Sequence, residues 1–258
     1  MPTVTLLEKA YGSQRPETSE PVFSSLCEGF KVKLRIVDTT NRGWIRLEVS
    51  GEDETIALHF LDQKFGLAPV SVDKLKKFSV ARGKILSSAE GESELRVDIG
   101  VFSPRTFDAV IPLQRLQAQL ANGKALTFQQ LTALFCLFEK LPLAIKIVNN
   151  IEAQKEKVEA ELSEAQLSQT THWIRSCLDR LIVLGAFFSE VEDVLERSKH
   201  SRDVVRVEQL GLLEHAVVCK LGTDAVGLIP KLGPLLPNAF LSPFCPMKIK
   251  KFVRRSFL

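Results

Sequence analysis

The stretches "VKLRIVDTT" and "WIRLEVSG" alternate apolar and polar positions and are joined by a turn around Asn41 and Gly43. That alternation predicts a β-hairpin. The period then changes. In "EDETIALHFLDQKFG", Ile56, Phe60, Leu61 and Phe65 form one helical stripe, with acids in the first turn and Gly66 as a stop. Residues 1–72 thus read as a ββα module, preceded by a polar loop, "SQRPETSEP".

Residues 73–165 read differently. After "RGKI", the segment "ELRVDIGV" turns Leu95, Val97, Ile99 and Val101 one way and Arg96, Asp98 and Gly100 the other, a half-buried strand. "DAVIPL" gives a third strand. In "TFQQLTALFCLFEKLP", Thr127 and Gln130 suit a capping box. Phe128, Leu131, Leu134, Phe135 and Phe138 then make an apolar helix face, ended by Pro142. "LAIKIVNNIEAQKEKVEAELSE" is a strand, a charged turn and a strand with Val158, Ala160 and Leu162 inward. Five strands with a helix between the third and fourth match a small Greek-key barrel of the OB type.

Residues 166–245 predict an α+β domain. Ser163 caps a long helix with Leu167, Trp173, Ile174, Cys177, Leu178, Leu181 and Ile182 on its apolar face, closed by Gly185. "SEVEDVLERSK" is a second helix, and two strands flank Gly211. A helix interrupted by Pro230 and Pro234 follows, and "AFLSPF" is a last strand. The order α-α-β-β-α-β leaves two arrangements, an α+β sandwich or a winged-helix-like unit. The whole is a multidomain α+β chain ending in a basic tail, 246–258.

At 258 residues and 45% apolar composition, such domains can build cores without disulfide staples. The five cysteines (Cys27, Cys136, Cys177, Cys219 and Cys245) are odd in number and widely spaced, which predicts reduced thiols and a cytoplasmic setting. The N-terminal residues lack a signal-peptide pattern, and no apolar run reaches about 18 residues, so no membrane span is expected. The formal net charge is +3, and the last thirteen residues contribute five basic residues and no acid. The remainder holds 34 − 5 = 29 basic against 31 acidic residues. A globally electropositive nucleic-acid binder is therefore excluded, and phosphate attraction has to be local.

Candidate chemistry is sparse. OB barrels attract phosphates and stack bases on an aromatic-bearing sheet face. Here that face offers Arg82, Lys84, Arg96 and Arg105, with Phe102 and Phe107 as either stacking groups or loop anchors. Lys157, Glu159 and Glu161 face outward on the last strand, where the two acids repel phosphate. The tail adds Lys248, Lys250, Lys251, Arg254 and Arg255, interleaved with Phe252, Val253 and Phe257, as a flexible phosphate-binding arm or a segment docked on its own domain. "KLGTDAVG" lacks phosphate-loop spacing and reads as a helix cap. His215 and Cys219 share a strand face but lack a second ligand pair, so they read as a packed imidazole and thiol. His59, His172 and His200 stand beside no nucleophile motif. No catalytic residue, metal, cofactor or small-molecule substrate is expected. Asp98 or Asp108 serving a metal is the remaining enzymatic possibility.

The succession "RGKI", "LRVDIG", "DAVIPLQRL" and "LAIKIVNNIEAQKEKVEAELSE" resembles an S1 domain, an RNA-binding OB fold, over residues 79–165. It departs from that pattern in having no aromatic in "LRVDIG" and Pro112 where a His is common. The whole chain, including "RDVVRVEQLGLLEHAVVCKLGTDAVGLIPKLG", resembles an archaeal family termed domain of unknown function 2110. The S1 resemblance implies a non-enzymatic RNA-binding accessory protein of archaeal translation or transcription. Its RNA would be ribosomal, transfer or nascent transcript, with a protein partner in a ribonucleoprotein or RNA polymerase assembly. The near-neutral body supports the alternative, a protein–protein adaptor whose OB-like scaffold never meets RNA.

Overall fold

The computed structural model describes residues 2–11, 19–87, 93–103, 105–149 and 157–254. The chain forms two compact units, Met1–Lys74 with Ile99–Phe107, and Leu75–Asp98 with Asp108–Leu258.

In the first unit, β1 (Thr3–Lys9), β3 (Trp44–Gly51) and β2 (Val32–Thr39) form an antiparallel sheet in the order β1-β3-β2. The hairpin is as expected, but β1 and helix α1 (Glu20–Leu26) enlarge the ββα module. Of the polar loop ahead of the hairpin, residues 13–18 lie outside the described residues, and Glu20 and Pro21 begin α1. Helix α2 (Glu54–Lys64) buries Ala57 and Leu61, while Ile56 is 55% exposed. The buried face of α2 is therefore rotated from the predicted stripe, onto Ala57 and Leu61. Phe65 does pack, edge-on against Phe23 at 5.5 Å between ring centroids. The short strand β4 (Val70–Ser71) pairs in parallel with residues 101–103. Gly100, at φ +72°, lies so close to Leu7 and Ala68 that a Cβ would press on both.

The central sheet consists of β5 (Val80–Ile85), β6 (Glu94–Ser103), β7 (Phe107–Pro112), β8 (Pro142–Ile147) and β9 (Lys157–Leu162). Its order β6-β5-β8-β9-β7, with β7 returning to β6, closes a five-stranded barrel. The β7–β9 pair is parallel, while β5–β6, β5–β8 and β8–β9 are antiparallel. Leu95, Val97, Ile99, Val101, Val158, Ala160 and Leu162 are all buried, as their alternation requires. Asp98, Asp108 and Val110 are buried as well, so β6 and β7 are covered on both faces rather than half-buried. Between β7 and β8 stand two helices where one was expected, α3 (Leu113–Ala121) and α4 (Phe128–Phe135). Both sides of the Thr127–Gln130 capping box form. Helix α4 ends at Cys136, which takes the left-handed conformation, well before Pro142.

Helix α5 (Glu164–Ser176) starts at Ser163, whose hydroxyl accepts from Gln166 N at 3.2 Å. The predicted helix continuation to Gly185 is overturned: Cys177 turns left-handed and Arg180–Leu184 form strand β10. This strand sits between β12 (Glu214–Cys219) and β13 (Phe240–Phe244), with β11 (Val204–Gln209) beyond β12. All five of its residues are buried. A strand covered on both faces reads as a continuous apolar run, which periodicity cannot separate from a buried helix. With α6 (Phe188–Arg197) and α7 (Ala225–Leu232), β10 to β13 run β-α-β-β-α-β in the antiparallel order β11-β12-β10-β13. That is the split βαβ arrangement, not a winged helix. Leu181, Val183, Val191, Val194, Val217, Leu228 and Leu232 pack between this sheet and its helices.

Apart from Ile99–Phe107, the barrel and this domain belong to one compact unit. Phe138 packs on Phe240 at 5.0 Å, Cys136 Sγ meets Ser242 Oγ at 3.4 Å, and Lys84 Nζ pairs with Glu214 Oε2 at 2.8 Å. Helix α8 (Pro246–Arg254) packs on α4 and α5, with Ile249 buried. Among the described residues no helix is long and apolar enough to cross a membrane.

Candidate nucleic-acid interface

The segment Leu75–Ser87 carries four basic residues and no acid. It enters β5 through a tight turn. Ser79 Oγ donates to Lys76 O at 2.6 Å, and Lys76 N donates back to Ser79 Oγ at 3.2 Å. Phe78 takes φ +67°, rare for a bulky residue and costing about 1–3 kcal/mol. Its N–H donates to Ile147 O at 2.8 Å, which ties the turn to β8. The outcome is an aromatic ring held out from the barrel, 60% exposed, followed on β5 by Val80 at 63%. Lys77 Nζ lies 4.9 Å from the Phe78 ring centroid and Lys146 Nζ 5.7 Å. Arg82, two residues beyond Val80 on the same strand face, is exposed.

Cross-strand register sets what surrounds this ring. Val80 lies opposite Lys146, and Lys146 lies opposite Glu161. Lys146 Nζ stands 3.6 Å from Glu161 Oε1. Arg115 of α3 reaches the same strand, 2.8 Å from Glu159 and 3.4 Å from Glu161. Asn149 Nδ2 donates to Glu159 Oε2 at 2.7 Å. The outer barrel surface therefore passes from an aromatic-cationic side on β5 and β8 to an acidic border on β9. An exposed ring beside cations is the chemistry that stacks a base and neutralises its phosphate.

Of the residues predicted from sequence, Arg82 belongs to this surface. Lys84 does not: it is buried and paired with Glu214, because the C-terminal domain packs on that stretch of β5. Gly83 beside it permits the close approach of β5 to β6, since a Cβ there would collide with the Asp98 carbonyl oxygen. Arg96 is partly exposed and paired with Asp108 at 2.9 Å. Phe107 is buried in the core, so it is an anchor and not a stacking platform. Phe102 is partly buried and Arg105 exposed, both in the first compact unit. The basic tail is not a free arm through Arg254. It is α8, with Lys248 and Lys251 exposed and Lys250 Nζ 2.7 Å from Cys177 Sγ. Arg255 lies outside the described residues. The sequence reading missed Lys76, Lys77, Phe78 and Lys146. The first three had a visible signal: "KLKKF" at 74–78 repeats the pattern of "KIKKF" at 248–252.

Other polar clusters have structural roles. Asp179, Asp224 and Cys245 place ligand atoms within 4.8 Å of one another in a cleft of about 290 Å³. Asp224 caps α7 at Val226 N (3.0 Å), and Asp179 accepts from Ala225 N (3.4 Å). Burial and then the Asp179 carboxylate push the Cys245 thiol up to about 11. His215 is buried with Nε2 2.9 Å from Ala186 O, and burial holds its pKa below the usual histidine value. Cys219 is a core thiol raised to about 12, chiefly by burial.

Family models match the chain in three successive blocks: the DUF2110 N-terminal domain over residues 3–71, the DUF2110 central domain over 79–174, and the DUF2110 C-terminal domain over 178–242. No curated protein matches it. Among solved structures, the crystal structure of ttk003000868 from Thermus thermophilus aligns at 16% identity with a TM-score of 0.17. That alignment covers 98% of this chain and 42% of the other, so the chain spans less than half of that protein's length. A likeness at that score carries no argument about fold or function.

Proposed function

We propose a function for a chain that belongs to the DUF2110 family: it is a non-enzymatic RNA-binding accessory protein that grips RNA on the β5–β8 face of its barrel. The observation that carries this reading is Phe78, a ring 60% exposed in a left-handed turn with two lysines within 6 Å of its centroid. The strand order and the parallel β7–β9 pair support an OB-like reading of the barrel, a fold that serves nucleic-acid binding. Lys76, Lys77, Arg82 and Lys146 attract phosphates, and Phe78 stacks a base. The resemblance of residues 79–165 to S1 domains is what favours an RNA of translation or transcription in this reading.

The test is fluorescence anisotropy with a labelled single-stranded RNA of mixed sequence. Base stacking on an exposed aromatic contributes about 1–3 kcal/mol. Phe78→Ala should therefore weaken binding about tenfold while leaving thermal unfolding nearly unchanged. Wild-type protein that fails to bind RNA at low salt sinks the reading, as does full binding by the variant.

The adaptor reading has its own support. Asp98, Asp108 and Val110, on the outward side of β6 and β7, are buried, so that part of the barrel acts as a scaffold. It gains if the chain copurifies with a protein partner whose retention resists nuclease.

A further inference from the structure

We infer that Glu161 is the affinity-setting residue of this interface: it competes with a bound phosphate for Lys146. The inference rests on the RNA-binding reading above and deepens it. One cross-strand row runs Val80–Lys146–Glu161 over three adjacent strands. Lys146 is thus shared. Its Nζ sits 5.7 Å from the Phe78 centroid and 3.6 Å from Glu161 Oε1. A base on Phe78 brings its phosphate to the same ammonium, and the phosphate then has to displace the carboxylate or share the cation with it. Arg115 does not relieve this competition, since Glu159 holds it at 2.8 Å and Glu161 at 3.4 Å. The two β9 carboxylates also border the site, so a strand lying along β5 from Phe78 to Arg82 avoids them and one crossing β9 meets repulsion.

Glu159 supplies an internal control. It carries the same charge on the same strand face, but its partners are Arg115 and Asn149, not Lys146. A general charge effect predicts equal gains from Glu159→Gln and Glu161→Gln. Competition for Lys146 predicts a gain from Glu161→Gln alone. Exposed and half-exposed ion pairs are worth up to about 1 kcal/mol, so that gain should be about two- to fivefold at low salt. Freeing one cation should also steepen the log–log salt dependence by about 0.7 for a single strand.

The experiment measures anisotropy with the same single-stranded RNA for wild type, Glu161→Gln, Glu159→Gln and Lys146→Ala/Glu161→Gln, from low to moderate salt. Tighter, more salt-sensitive binding by Glu161→Gln, lost in the double variant and absent in Glu159→Gln, is the expected result. Wild-type binding with no change in Glu161→Gln, or an equal gain in Glu159→Gln, overturns this inference and leaves the RNA-binding reading standing. No binding by wild type removes the RNA-binding reading instead.

Discussion

Lys84 shows what a single position can and cannot disclose. Strand alternation places it outward beside Arg82, which holds, since Lys84 lies opposite Asp98 on β6. Nothing local reveals that Glu214, 130 residues later, covers it. Removing one partner of a buried pair leaves an uncompensated charge and costs about 3–5 kcal/mol, whereas replacing both by apolar residues is often neutral. Lys84→Ala should therefore lower urea-unfolding stability by that amount. A small loss in the single variant contradicts the burial. His215 makes a prediction in pH. Burial depresses its folded pKa below the ordinary 6.5, so the unfolded chain binds the proton more readily. The stability contributed by the neutral ring is complete above about 6.5 and declines as the pH drops below it toward the folded value. Urea unfolding at pH 7.5 and pH 5.5 should show that decline in wild type and a smaller one in His215→Gln. An equal decline in both would assign it to other groups.

Among the elements, legibility followed the local pattern: β6, β7 and β12 were read as strands although both of their faces are covered, while β10 and β1 were not. The β2–β3 hairpin, the Thr127 capping box and α6 announced themselves through period and caps, and the structure contains each. β10 did not, because Leu181, Ile182, Val183 and Leu184 are buried on both sides between β12 and β13, leaving no polar face to mark a period of two. Its helix reading was an extension of α5, whose own stop is the left-handed Cys177 in place of the glycine that usually marks such ends. β1, "TVTLLEK", carries no clean alternation because Leu6 and Leu7 are adjacent apolar residues followed by adjacent Glu8 and Lys9. The tail's sequence left two readings open, arm or docked segment, because its charge masks its amphipathy. Ile249 is buried, so α8 has a core-facing side. Ile249→Ala should cost about 2–5 kcal/mol in chemical unfolding. A change within about 0.5 kcal/mol would mean that the helix does not dock.

Over the whole molecule, a near-neutral body limits how much of any RNA affinity electrostatics can supply. The motif Lys-x-Lys-Lys-Phe occurs twice, and the fold uses it in two ways. At 74–78 its aromatic stands out of a strained turn beside the barrel cation Lys146, while at 248–252 it forms part of α8, with Phe252 47% exposed and Lys250 held to Cys177. The barrel face carries the candidate site because Arg82 follows the motif on β5 and the cross-strand register adds Lys146, which the sequence could not show without knowing that β5 pairs with β8. Four cations at that face, Lys76, Lys77, Arg82 and Lys146, set a bound on the counterions released. With about 0.7 per neutralised phosphate on a single strand, the slope of log affinity against log salt should be no steeper than about −3. Lys248→Ala/Lys251→Ala should leave that slope unchanged, because those lysines belong to α8. A slope of about −4 or steeper that relaxes by more than 1 in the double variant would show that α8 joins the RNA-binding surface, and that the barrel face alone is too small a description of it.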